Sequence, residues 1–253
     1  MDKQYETYVA GGFCGKAQKP LDLEGFIEMM LYNPTTTPCQ ATMTAYFEKG
    51  EPHTFAPVEV PPEGNHLLVM PSFAPDVFED CGFWGARFQS NTPLVADLIS
   101  GVGHYHPDDS FKGGCVMSLG NALNNEWHFA DGLWLEWNRF YKGDLSKAPF
   151  PFNEIEYYYF LNPGDRPAKA DMTLRFRNIE HVTFHLQVPA QRVLTWCNFE
   201  KIPYVQPYAA KVMSDEPVFT TSTRYIYGLT GFEEWGVYTH CAMPAKPGPY
   251  TSW

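Results

Sequence analysis

Residues 31–55, LYNPTTTPCQATMTAYFEKGEPHTF, and residues 160–184, FLNPGDRPAKADMTLRFRNIEHVTF, are written in one pattern. Asn33-Pro34 meets Asn162-Pro163 at an offset of 129 residues, and at that offset Pro38 meets Pro167, Met43 meets Met172, Thr44 meets Thr173 and Phe47 meets Phe176. Thr54-Phe55 likewise meets Thr183-Phe184, and after small slips of register Val60-Pro61 falls on Val188-Pro189. Further on, ARFQSNTPLVADLISG (86–101) matches AKVMSDEPVFTTSTRYIYG (210–228) through Ser90/Ser214 and Pro93/Pro217. Self-similarity of this kind marks a chain built from two copies of one unit.

The repeated stretch has the period of a strand. Met43, Ala45 and Phe47 alternate with Thr42, Thr44 and Tyr46, and Met172, Leu174 and Phe176 alternate with Asp171, Thr173, Arg175 and Arg177. Period two places the first set on a buried face and the second towards solvent or a partner. Asn-Pro and Pro-rich connections interrupt these runs, and proline cannot donate within a central ladder. Leu21–Met30 is the nearest approach to a helical stripe and is ambiguous. The expectation is an all-β protein of two tandem antiparallel β-sandwich domains.

The bulk numbers exclude several functions. The 253 residues carry a formal charge of −11, which repels phosphate backbones and argues against nucleic-acid binding. No stretch approaches the ~18 apolar residues of a membrane helix, so membrane insertion is not expected. The opening MDKQYETYVAGGFCGKAQ has no apolar block of the secretory type. The six cysteines (14, 39, 81, 115, 197 and 241) are scattered without a Cys-x-x-Cys pair, the usage of reduced thiols in a cytoplasmic protein.

Trp127-His-Phe-Ala-Asp-Gly132, matched in the first copy by YVAGG (8–12) through Ala10 and Gly12, resembles the Trp-x-x-Ala-Glu-Gly opening of the sensory rhodopsin transducer family. That family continues with a strand ending in Asn and a turn, a second strand, a Val-Pro step and a Gln-Ser-Asn-x-Pro segment. Similar elements stand here at Tyr158–Pro163, Met172–Arg177, Val188-Pro189 and Gln89–Pro93. The Thr-Arg that ends the family's next strand is matched by Thr223-Arg224, whereas the first copy departs with Ile99-Ser100. The resemblance covers nearly all of both copies and implies a jelly-roll-like sandwich with a tendency to fourfold rings. A fused pair would then be a pseudo-dimer, and a homodimer of this chain would rebuild a pseudo-fourfold ring. The expected boundaries are residues 1–101 and 127–242, with 102–126 as the connection and 243–253 as an extended tail.

Signatures of a named reaction are missing. AGGFCGKA (10–17) lacks both the first glycine and the final Ser/Thr of a phosphate loop, and there is no G-x-S-x-G or H-E-x-x-H. His104, His106 and Asp108 form the densest set of metal-ligand types, suited to a divalent metal, or else belong to a solvated acidic connection. Trp127, Trp134, Trp137, Tyr157 and Tyr159 either stack on a sugar-like ligand or fill the core and the joint between copies. Tyr157-Tyr158-Tyr159 must place at least one ring on each strand face. Arg175, Arg177 and Arg224 either share an anion-binding face or are ordinary surface charges. His128 and His185 are candidate general bases beside an acid such as Asp131 or Glu156. Two functions follow: a binding or signalling module for a small molecule, carbohydrate included, or for a protein partner; and an enzyme acting on a small polar or sugar-like substrate in the cleft between the copies.

Overall fold

The computed structural model describes residues 4–16, 24–105, 111–118, 120, 122–150, 152–203, 205–229, 236–241 and 243–244. Among them every strand pair is antiparallel, and no helix exceeds four residues. The fold is all-β and sandwich-like.

The N-terminal half contains β1 (Tyr5–Lys16), β2 (Glu24–Tyr32), β3 (Cys39–Phe47), β4 (His53–Thr54), β5 (Val58–Val60), β6 (Asn65–Val69), β7 (Gly82–Ser90), β8 (Val95–Tyr105) and β9 (Phe111–Ser118). Its front sheet pairs β4 and β5 with β3, then β7 and β1; its back sheet pairs β6 with β2, then β8 and β9. Gly15 and Lys16 of β1 also pair with β2, joining the two sheets at one corner. Met43, Phe47, Trp84 and Phe88 from the front meet Met29, Leu31 and Leu98 from the back in one buried core.

The C-terminal half contains β10 (Asn124–Trp134), β11 (Phe152–Asn162), β12 (Ala168–Phe176), β13 (Val182–Val188), β14 (Arg192–Cys197), β15 (Gln206–Gly228), β16 (Gly236–Cys241) and β17 (Met243–Pro244). Its pairings follow the same plan: β13–β12–β15–β10 at the front and β14–β11–β15–β16 at the back. The 23-residue β15 serves both sheets, doing the work that β7 and β8 divide around Asn91–Leu94. Local bonds coincide as well. Asn33 donates Nδ2 to the carbonyls of Thr37 and Val60, and Asn162 donates to those of Arg166 and Val188. Each amide oxygen in turn accepts a backbone N–H two residues on, from Thr35 and Gly164. These paired bonds are the physical content of the Asn-Pro stretches: a buried asparagine ties an irregular turn to the strand beside it.

Two segments differ from the sequence reading. Residues 102–126, expected as a connection, hold the end of β8, all of β9 and the start of β10. The expected tail supplies β17, which pairs with Trp127 and His128.

The halves pack front against back. β12 shows alternating burial, but β11 is buried from Asn153 to Asn162 without a break, as is β15 from Val218 to Tyr225. Continuous burial needs cover on both faces of a sheet. The inner cover is the C-terminal front sheet; the outer cover is the N-terminal front sheet, whose Tyr8, Ala10 and Tyr46 belong to the C-terminal core. Tyr8 stacks on Phe219 at 6.1 Å, and Phe83 lies 5.6 Å from both Tyr157 and Tyr159. Gly11, at φ +96°, permits this approach, since a Cβ there would lie 2.9 Å from the Tyr159 ring.

Candidate functional site

A cleft of about 680 Å³ opens beside this joint. Its N-terminal wall is the outer face of the front sheet. Alternation along β3 turns Thr44 and Tyr46 outward, and β7 places Arg87 directly opposite Thr44. Thr54 of β4 completes that wall, its hydroxyl 3.0 Å from that of Thr44. The facing wall is C-terminal: the Pro163–Asp165 turn held by Asn162, together with Gln191.

The acids around the cleft are partnered. Glu51 bonds Arg192 at 2.7 Å, and Asp165 accepts from Gln191 Nε2 at 2.7 Å. Glu6 accepts from Tyr8 Oη through one oxygen and from Gln89 Nε2, at 3.1 Å, through the other. Among the described residues Arg87 has a single long approach, Nη1 to Glu6 Oε1 at 3.9 Å, and its buried Nε has no hydrogen-bond partner. Burial raises the Tyr46 hydroxyl above its ordinary range, while Arg87 opposes the shift.

A second polar group lies inside the C-terminal sandwich. Glu156 is wholly buried on the inner face of β11. One of its oxygens accepts from Arg224 Nε and Nη2 at 3.0 and 2.9 Å; the other accepts from Tyr208 Oη and, at 3.1 Å, from Tyr158 Oη. Asn198 braces the same place, accepting the Glu156 backbone N–H at 3.0 Å and donating to Tyr208 Oη at 3.2 Å. Arg224 also meets Asp131 at 3.2 Å and Glu154 at 3.6 Å. Three carboxylates therefore surround one guanidinium. Burial pushes Glu156 up to about 7 against the pull of Arg224, and burial raises Glu154 too.

The WHFADG motif builds this cluster. The register of β10 shifts between Phe129 and Gly132, a bulge that carries Asp131 to Arg224. A side chain at Gly132 would collide with the Tyr208 ring. In the N-terminal half the same pairing sets Gly12 against Trp84, and Ile27 faces Ser100 where Glu156 faces Arg224.

The residues singled out from sequence are dispersed. Trp127, Trp134 and Trp137 are core, with Trp127 Nε1 donating to the carbonyls of Asn124 and Val218. Tyr157 and Tyr159 are buried in the joint, and Tyr158 lies between the sheets. These rings offer no exposed stacking face, which corrects their reading as a ligand platform. One tyrosine does go to each strand face in turn, but the outer face is itself covered. Arg175 and Arg177 are exposed, whereas Arg224 points inward, so the three arginines do not form one face.

His128 and His185 are exposed on the outer face of the C-terminal front sheet, His128 3.2 Å from Glu126 and His185 2.7 Å from Asp171. Three strand spacings separate them, roughly 14 Å, too far to act on one small group. Asp131 lies apart from both, at Arg224. His104 falls in β8, while His106 and Asp108 lie outside the described residues. Among the described residues no group of three or more His, Cys, Asp or Glu side chains is placed to hold a metal. Arg87 and Tyr208 escaped sequence reading because nothing local distinguishes them; a signal for Glu156 existed, an acid within an otherwise apolar and aromatic strand.

No protein-family model and no curated protein matches the chain. Among solved structures it is similar to Thermotoga maritima 1070, with 21% identity and a TM-score of 0.40 over 49% of this chain and 97% of that one. It is also similar to the Anabaena sensory rhodopsin transducer, with 23% identity and a TM-score of 0.33 over 40% of this chain and 87% of that one.

Proposed function

We propose that this chain is a non-enzymatic binding module, a tandem duplication of one sandwich unit, one copy spanning β1 to β9 and the other β10 to β17, whose ligand site is the cleft between the copies. The observation that carries the reading is the cleft itself: hydroxyls and a guanidinium from one copy face a turn and an amide from the other. Such a wall suits a small polar, hydroxylated molecule. Among the described residues that line it there is no histidine or cysteine, and Asp165 is tied to Gln191, which favours binding over proton-transfer chemistry. The described cysteines 14, 39, 81 and 197 are unpaired, which supports a reducing, cytoplasmic setting. No helix among the described residues is long and apolar enough to cross a membrane.

The test is thermal unfolding of the full chain against a panel of small polyols, sugars and sugar acids. A true ligand raises Tm in proportion to the logarithm of its concentration. Thr54→Trp, which fills the cleft, should abolish that gain. No stabilising compound, or a gain that survives Thr54→Trp, would overturn the reading.

The partner we propose is a second copy of this chain, closing a pseudo-fourfold ring. Among the described residues a front face of one half covers a back face of the other, and the remaining front and back faces show no such cover. The uncovered N-terminal back face carries exposed Tyr32, Leu67 and Val69, and the β2 residue Tyr32 stands where β11 carries the buried Leu161. Light scattering should give about twice 28.8 kDa, falling to one chain in Leu67→Lys/Val69→Lys. A wild-type monomer at tens of micromolar would end the proposal.

A further inference from the structure

Arg87 is the least satisfied charge on the cleft wall. Guanidinium groups present five N–H donors in a rigid fork, and in a partly enclosed site those donors need acceptors. Here the nearby carboxylates are already engaged. Glu6 accepts from Tyr8 and Gln89, Glu51 is held by Arg192, and Asp165 by Gln191. The side chain is only 27% exposed, and its Nε is buried without a hydrogen-bond partner.

The other half sharpens the point. β15 places Lys211 opposite Thr173, as β7 places Arg87 opposite Thr44. Lys211 bonds Glu126 at 2.6 Å, the acid that corresponds to Glu6 two residues before the strand position facing the cation. In the C-terminal half, then, the cation is neutralised on an open face. In the N-terminal half the equivalent acid is taken by Tyr8 and Gln89, and the cation is presented to an enclosed space.

The rest of the wall states what else a ligand must carry. Thr44 and Thr54 bond mainly to each other and offer both donor and acceptor capacity. Across the cleft, Asp165 keeps acceptor capacity beyond its bond to Gln191, so hydroxyl donors suit that wall. From this we infer that the cleft binds a small hydroxylated carboxylic acid, its carboxylate on Arg87 and its hydroxyls against Thr44, Thr54 and Asp165. The inference rests on the cleft being a ligand site, and it adds the chemical class.

A carboxylate on Arg87 forms charge-assisted bonds that an uncharged analogue cannot make. Glu51 and Asp165 also line the cleft, and their charge disfavours a dianion more than a monoanion. Monocarboxylates are therefore the class.

The experiment is isothermal titration of the full chain with a panel of such acids, gluconate among them, each beside its uncharged polyol, sorbitol for gluconate. At least one acid should bind ten-fold or more tightly than its polyol, and the margin should shrink as salt is raised. Arg87→Gln should reduce affinity for the acid at least ten-fold and weaken the polyol by a much smaller factor. Arg87→Lys should retain part of it, since the charge stays and the fork is lost. Unfolding of Arg87→Gln should match wild type, because the ion pair lost is long and partly exposed. Acid and polyol binding alike, or acid binding that Arg87→Gln leaves intact, would overturn the inference while the cleft stands. Binding insensitive to Thr54→Trp would instead remove the cleft as the site.

Discussion

Arg224 grips a single oxygen of Glu156 through two nitrogens, Nε at 3.0 Å and Nη2 at 2.9 Å, at the place where the other half pairs Ile27 with Ser100. Desolvating such a pair offsets much of its attraction, so its worth lies in what happens when one member is removed. Above pH ~7, where Glu156 is ionised, Arg224→Met leaves Glu156 and Glu154 side by side without their counter-charge and should cost about 3–5 kcal/mol in urea unfolding. Glu156→Met/Arg224→Met should recover at least half of that loss. A double variant no better than Arg224→Met would show that the two residues act independently.

The same carboxyl makes stability depend on pH in a direction that can be worked out. Its folded-state value of about 7 stands above the ~4.3 of an unfolded glutamate. Between those limits the folded chain holds a proton that the unfolded chain has released, so this contribution is full at the acidic end and is lost as pH rises towards 7. Glu156→Gln removes it. The difference in unfolding free energy, wild type minus Glu156→Gln, should therefore fall from pH ~4.3 to 7 and be level above. Urea midpoints at half-unit steps measure it, and a difference independent of pH would refute the assignment.

Gly11 and Gly50 provide a matched pair for the joint. Both have positive φ, +96° and +95°, but a Cβ at Gly50 meets nothing within 4 Å, whereas at Gly11 it meets the Tyr159 ring. Gly50→Ala should cost about 1 kcal/mol, the backbone penalty alone. Gly11→Ala adds overpacking and should cost about 2–4 kcal/mol. Tyrosine fluorescence and calorimetry on the two variants would separate the terms. Equal losses would mean that the joint yields to the extra methyl.

Asn33 and Asn162 make parallel sets of bonds and should respond alike. Replacement by alanine removes the donor from two carbonyls at Asn33 and from three at Asn162, and the acceptor from one backbone N–H at each, and should cost about 2–3 kcal/mol. Replacement by aspartate keeps the acceptor and loses the donors, so it should not rescue stability. Thermal unfolding of the four variants checks both statements.

Much of this architecture was legible in the chain. The alternation of Met43, Ala45 and Phe47 with Thr44 and Tyr46 is local, and it correctly assigns the inner face of β3. The Asn-Pro stretches mark their turns because proline and a buried amide act within a few residues. The contrast between Arg224 and Ser100 was also visible, and it coincides with the charged network. The tryptophans were ambiguous for a physical reason: an indole fills a core as readily as it lines a site, and composition does not distinguish the two.

By itself, then, the sequence determined the all-β class and the strand faces, since each depends on contacts between near neighbours or on pattern alone. Tertiary structure alone decided which outer faces are covered. Tyr157 and Tyr159 became joint instead of surface because the N-terminal front sheet lies over β11, a contact between residues some 75 to 150 positions apart. It likewise decided that Glu156 meets Arg224 and that Arg87, among the described residues, lacks a close partner. A charge is satisfied or left open by groups brought to it through space, and their distances are not written in the local pattern.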